Sequence, residues 1–164
     1  MPNLNVCGDI GLKIARDGTW FYQGAPIRRR PLVKLFSSVL RRDADGGFYL
    51  VTPVEKVPIE VEAEPFVAVA MERRGSGEAQ RLTFRTNVDD MVEADNEHPL
   101  GFRPAADGSA PYSAPYIVVR HGLRARLSRP VYYELADLAI EFGPARRPGV
   151  WSGGTFFPFP APAD

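Results

Sequence analysis

The chain is poor in the residues that do covalent chemistry. Among its 164 residues there is one cysteine, Cys7, and two histidines, His98 and His121. A single cysteine excludes a disulfide within the chain and a thiolate metal cluster, and it suits a reducing compartment. Two histidines leave few ways to build a Ser-His-Asp or Cys-His arrangement. No G-x-S-x-G elbow, no G-x-x-x-x-G-K-[ST] loop and no G-x-G-x-x-G after a strand occurs. No apolar run approaches the roughly 20 residues that span a bilayer. The first residues, MPNLNVCGDIG, lack the charged and apolar regions of a secretory signal. The expectation is a cytoplasmic protein.

Net charge is also missing. Twenty basic and twenty acidic side chains cancel, so nothing global attracts nucleic acid or an anionic membrane. The basic side chains are nonetheless lopsided: only Lys13, Lys34 and Lys56 are lysines, and the rest are arginines. Arginine makes planar, bidentate contacts with carboxylate and phosphate. The excess fits GC-rich codon usage as well as it fits an anion-binding surface.

What remains is an ordinary globular composition, 45% hydrophobic and 24% charged. A chain of this length buries roughly 70% of its unfolded surface and needs no staple. GLKIAR (11–16) and TWFYQ (19–23) alternate around Asp17-Gly18 and predict a hairpin. Pro31 then starts a predicted helix with Leu32, Val33, Leu35, Phe36, Val39 and Leu40 on one face, ending at Arg41 and Arg42. Strands are expected at 47–52, 56–62, 65–73 and 80–86, with Pro58 marking an edge strand or a strand start. Residues 87–115 read as a long loop, acidic at first, with a short strand at 100–104. A hairpin follows at 116–128, and then a helix from Pro130 to Gly143. The Pro-rich aromatic tail, 144–164, reads as irregular chain packed back on the body.

Strand, turn, strand, Arg-Pro and helix therefore occur twice, at RRRPLVKLFSSVL (28–40) and SRPVYYELADLAI (128–140). A hairpin on one helix cannot bury both faces of its sheet, so two such units need each other. The expected fold is α+β: two related hairpin-plus-helix units, 1–78 and 79–164, around a mainly antiparallel sheet. The alternative is that hairpin-then-helix is common and recurs by chance.

Oxygen ligands are dense in NVDDMVEADNEH (87–98), but they lack EF-hand spacing, so no metal ligand is assigned. Recognition is better supported. Arg28, Arg29 and Arg30, with Arg120, Arg124, Arg126 and Arg129, can face a seam beside Trp20, Phe21, Tyr112, Tyr116, Tyr132 and Tyr133. Guanidinium and aromatic faces together hold a phosphate and a stacked base. Thr86 and Asn87 can hydrogen-bond a base edge. The same residues also fit a core of aromatics under solvated arginines. Extended nucleic-acid binding lacks a helix-turn-helix or RNP pattern.

The stretch 14–69, with its DGTWF-x-x-G-x-PI-x-R core and YLVTPVEK, resembles the bacterial DUF1285 family, as do 116–139 and the Asn87 region. The resemblance implies an α+β fold built by duplication, with a C-terminal part superficially like the pleckstrin-homology fold. It implies a ligand in the groove between the units, a nucleobase-containing molecule among the candidates, and a role in signal transduction. It carries over no catalytic residues and no cofactor.

The expectation is thus a ligand-binding regulatory protein rather than an enzyme. Trp20 and Tyr116 would supply stacking surface, Arg28, Arg120 and Arg124 charge, and Thr86 and Asn87 hydrogen bonds. The alternatives are a protein-interaction module docking a partner at the edge near Pro58 or at the tail, and a divalent-ion hydrolase using the carboxylates of 89–97.

Overall fold

The computed structural model describes residues 5–6, 8–102 and 115–160. Cys7, Tyr112 and residues 103–104 of the expected short strand lie outside them. The chain divides into two units, Met1–Phe66 with His121–Leu123, and Val67–Arg120 with Arg124–Asp164. The expected boundary at residue 78 falls in the connection between two paired strands of one sheet.

The first unit holds β1 (Asn5–Val6), β2 (Leu12–Ile14), β3 (Trp20–Tyr22), β4 (Ala25–Pro26), α1 (Arg30–Ser38), β5 (Leu40–Arg42), β6 (Phe48–Val51) and β7 (Glu55–Val61). Its strand order is β4-β3-β2-β7-β6-β5, with β1 also on β7. Alternation decides the faces. Leu12, Ile14, Trp20, Leu40, Leu50, Val57 and Ile59 are buried, and Lys13, Phe21 and Glu60 share the other face in register.

Pro58 sits in an interior strand, not at an edge. Along one side of β7, β1 pairs with Glu55 and Lys56 while β2 pairs with Glu60 and Val61. Pro58 falls in the gap between them, where no strand needs the N–H it lacks.

Helix α1 stops at Ser38, four residues before its expected end. The Ser37 and Ser38 hydroxyls donate to the Lys34 and Leu35 carbonyls at 2.8 and 2.6 Å, competing with the helical bonds of the last turn. Leu40 is then worth more as a buried strand residue opposite Leu50 than as another helical turn. The buried side of the helix differs from the expected apolar face: Leu35 is 61% exposed and Ser37 is buried.

The second unit holds β8 (Phe66–Arg74), a 3-10 turn (Gly77–Ala79), β9 (Arg81–Thr86), β10 (Met91–Glu93), β11 (Leu100–Phe102), β12 (Pro115–Arg120), β13 (Leu123–Leu127), α2 (Arg129–Ala136), β14 (Ile140–Phe142), β15 (Arg147–Ser152) and β16 (Thr155–Pro158), except that Phe66 and Leu123, the first residues of β8 and β13, count with the first unit. Its main sheet runs β10-β9-β8-β13-β12-β11, and β14-β15-β16 form a second, three-stranded sheet. Val131 and Leu135 bury one side of α2.

Two expectations fail here. The second helix ends near Asp137 rather than Gly143, because Ile140–Phe142 pairs with Arg147–Gly149. The tail is not irregular: Val150, Trp151 and Ser152 pair with Phe157, Phe156 and Thr155. It packs back through polar bonds. Ser152 Oγ donates to the Ala94 carbonyl at 2.7 Å and accepts from Leu82 N at 2.9 Å, and Gln80 Nε2 donates to the Trp151 carbonyl at 2.9 Å.

The duplication is real, with a different phase from the one the Arg-Pro segments suggest. Each main sheet places its six strands in the order third, second, first, sixth, fifth, fourth. Hairpin β2–β3 therefore corresponds to β8–β9, not to β12–β13. Helix α1 follows the third strand of its pattern and α2 the sixth, so the two Arg-Pro helices are not equivalent. The fold is mixed and largely β, with two α-helices among the described residues.

Candidate ligand site

The residues singled out for recognition are divided between the two units. Trp20 and Arg28 belong to the first unit, and Thr86, Asn87, Tyr116, Arg120 and Arg124 to the second. Trp20 is 1% exposed and its ring stacks on Phe36 of α1 at 6.2 Å, which makes it core. Its Nε1 finds no partner among the described residues. Arg28 is exposed in the segment before α1.

In the second unit these side chains hold the fold. Thr86 is fully buried, and its Oγ1 accepts from Val88 N at 3.3 Å and Asp90 N at 3.1 Å. This closes the turn that places Asp89 at φ 68°. Asn87 Oδ1 accepts from Val67 N at 3.0 Å. Arg120 donates to Asp90. The Arg124 guanidinium lies 4.1 Å over the Tyr116 ring, and that ring lies so close to Gly101 that a Cβ there would meet it at 2.5 Å. The arginine–aromatic stack expected for a ligand is thus made within the protein.

The acidic stretch does not converge either. Asp89 faces Arg85 at 3.6 Å and Glu93 faces Arg81 at 4.0 Å. Asp95 Oδ1 accepts from Glu97 N, His98 N and the His98 ring, at 2.9, 2.8 and 3.1 Å. Burial, the largest single influence, pushes the Asp95 carboxyl up, but these hydrogen bonds together outweigh it and hold it below the ordinary carboxylate range. Among the described residues, no group of three His, Cys, Asp or Glu could hold a metal ion. His121 stands in a turn with Gly122, at φ 49° and 75°.

A second polar group braces the β5–β6 hairpin. Lys56 donates to Asp43 and lies 4.3 Å over the Tyr49 ring, while Tyr49 OH donates to Asp45 Oδ2 at 2.9 Å. The hydrogen bond from Lys56 holds the Asp43 carboxyl down and the same bond holds the ammonium up. The bond to Asp45 raises the Tyr49 hydroxyl. These groups satisfy one another.

A concavity in the first unit includes none of the expected residues. It is a pocket of about 480 Å³ lined by Asp9, Gly11, Lys13, Phe21, Gln23 and Glu60 among others, within the range of roughly 300–1,000 Å³ usual for small-molecule sites. The lateral register builds it: Phe21 on β3, Lys13 on β2 and Glu60 on β7 stand side by side. Neither the Lys13 nor the Glu60 side chain has an ion pair or hydrogen bond among the described residues. Asp9 uses one oxygen on Gly11 N at 2.7 Å.

The rim is a tight turn with both central residues in the left-handed region, Gln23 at φ 51° and Gly24 at φ 84°. Such turns favour Asn, Asp or Gly at both places. Gln23 N donates to the Gly11 carbonyl at 2.8 Å, and a Cβ on Gly11 would stand 3.2 Å from Gln23 N, Cα and Cγ. Glycine at 11 therefore lets the rim approach β2 closely.

Residues 2–64 match the family described as domain of unknown function (DUF1285), N-terminal domain, and residues 65–159 match protein of unknown function (DUF1285), C-terminal domain. A solved DUF1285 family protein from Silicibacter pomeroyi DSS-3 is 49% identical with a TM-score of 0.85, covering 95% of this chain and 82% of that one. A second, from Shewanella baltica OS155, is 27% identical with a TM-score of 0.60, covering 77% of this chain and 91% of that one. No curated protein matches the chain. No described helix is long and apolar enough to cross a membrane. With both halves matched and the fold shared, the chain belongs to the DUF1285 family.

Proposed function

We propose that this chain is a ligand-binding regulatory protein of the cytoplasm, not an enzyme, and that its small polar ligand sits in the first unit's pocket. Nucleobase-containing molecules are among the candidates. The observation that carries this reading is the Lys13 ammonium, without an ion pair or hydrogen bond among the described residues, beside an aromatic ring, Phe21, in a pocket of about 480 Å³. Small-molecule sites combine apolar and aromatic lining with a few placed polar or charged groups. The second unit, a six-stranded pattern followed by α2, is read as superficially pleckstrin-homology-like, a scaffold for signalling rather than catalysis.

The test is a thermal-shift panel of nucleobases, nucleosides, nucleotides, amino acids and divalent ions. A ligand at 100 times its Kd stabilises by about 2.7 kcal/mol, and each kcal/mol moves Tm by roughly 2–4 °C at this size. The expected result is a shift with at least one organic compound that disappears in Lys13→Met and Phe21→Ala. A flat response to the whole panel overturns the reading.

One observation favours the alternative of a protein-interaction module. Strand β14 is an edge strand, all three of its residues are exposed, and Ile140 and Phe142 are 46% and 44% exposed. An apolar edge of this kind suits strand addition by a partner.

A further inference from the structure

The charges of the pocket narrow the ligand beyond "small and polar". This step rests on the reading that the pocket of the first unit is where a ligand binds. Three ionised side chains line it, Lys13 against Asp9 and Glu60, so the lining is net negative at neutral pH. The two carboxylates are acceptor-only groups. Glu60 has both oxygens uncommitted among the described residues, and Asp9 has one. They call for N–H donors or a cationic nitrogen. Lys13 is donor-only and calls for one acceptor or anion. Phe21 supplies an apolar face beside it. Gln23 adds an amide at the rim, where its Nε2 already donates to Tyr22 OH at 3.3 Å, which leaves its carbonyl oxygen as a further acceptor.

Acceptors therefore outnumber charged donors. A phosphorylated ligand would bring roughly two negative charges on one phosphate group to a site with a single lysine and two carboxylates. Like charges at this range disfavour binding. We propose that the pocket takes a small zwitterion of amino-acid type. Its cationic nitrogen would be met by Glu60 and Asp9, its single carboxylate by Lys13, and its flat or apolar side chain by Phe21.

The experiment is calorimetric titration of the full chain with the twenty amino acids, then with two truncated relatives of the best binder. One is its N-acetyl form, which lacks the cation, and the other is its decarboxylated amine, which lacks the anion. GMP, AMP and inorganic phosphate are titrated in parallel. Both Lys13 and Glu60 lie on the sheet face opposite the core, so Lys13→Met and Glu60→Gln leave the packing intact. The expected result is binding of at least one amino acid. Each truncation should weaken it about tenfold or more, Glu60→Gln should reproduce the loss of the cation, and Lys13→Met the loss of the anion. Tighter binding of GMP, AMP or phosphate, abolished by Lys13→Met, overturns the zwitterion while leaving the pocket standing. No heat from any compound in either class overturns both.

Discussion

Asn87 and Val67 are joined twice. The Asn87 side-chain carbonyl accepts from Val67 N at 3.0 Å, and Asn87 N donates to the Val67 carbonyl at 2.8 Å. This pair fastens the end of β9 to the start of β8, where Val67 is buried. Asn87→Ala leaves a buried N–H without its acceptor, which costs about 1–3 kcal/mol. A Tm drop of roughly 2–4 °C per kcal/mol follows. Asn87→Asp keeps the acceptor and should lose less. Equal losses in the two variants would refute the assignment.

Ser152 joins the tail to the main sheet. It is fully buried, donates to Ala94 and accepts from Leu82. Ser152→Ala should destabilise by about 1–3 kcal/mol, because both backbone groups lose a partner. Hydrogen exchange should speed up at Leu82. Unchanged protection there would show that the tail does not brace β9.

Trp20 is a core residue, and its replacement tests that against a role in binding. Trp20→Ala should cost about 3–5 kcal/mol through the cavity it leaves beside Phe36. Chemical denaturation reads this directly. A loss under 1 kcal/mol would return Trp20 to the candidates for a binding surface.

The Asp43–Lys56 pair gives a pH window. The Asp43 carboxyl is held below its ordinary value and the Lys56 ammonium above its own. An acid with a depressed folded pKa adds stability above its unfolded value, about 3.9, and loses it as pH falls through the folded one. A lysine with a raised folded pKa adds stability below about 10.4 and loses it as pH rises through the folded one. The stability difference between the natural chain and Asp43→Asn should therefore be flat across roughly pH 5–9 and shrink on both sides. A difference that persists unchanged into strong acid would refute the pair.

Gln23 should trade stability against function. Asn tolerates the left-handed region better than Gln. Gln23→Asn should raise Tm by a degree or two while weakening any ligand that uses the longer amide. A lower Tm would mean that Gln23 relieves the turn rather than straining it.

Much of the β structure was legible. Alternation placed β2, β3, β9, β12 and β13 because each has one buried face, and Asp17-Gly18 marked the first turn. Helix ends were not legible. Leu40 fits the apolar period of α1, and only its pairing with Leu50 across the 43–47 turn makes it a strand. The strands of the tail were hidden by Pro148 and Gly149. That glycine is needed because a Cβ would lie 2.4 Å from the Phe157 carbonyl oxygen, a cross-strand fact with no local signal. Arg124 and Tyr116 are neighbours on the paired strands β13 and β12, and their stack is internal. The pocket was invisible for a topological reason. Glu60 stands beside Lys13 only because β2, the first strand of the six-strand pattern, pairs in parallel with β7, the last.

That same pairing governs how fast each unit can assemble. In each pattern the first three strands form a meander from neighbouring stretches of chain, which closes quickly because its loops are short, and β5, β6 and β7 do the same. The central junction, β2 with β7 or β8 with β13, joins the ends of the pattern and must wait for the longest closure. Each unit should therefore have its own late step in folding. Substitutions at these two seams should retard refolding, while those on the outer strands should mainly hasten unfolding.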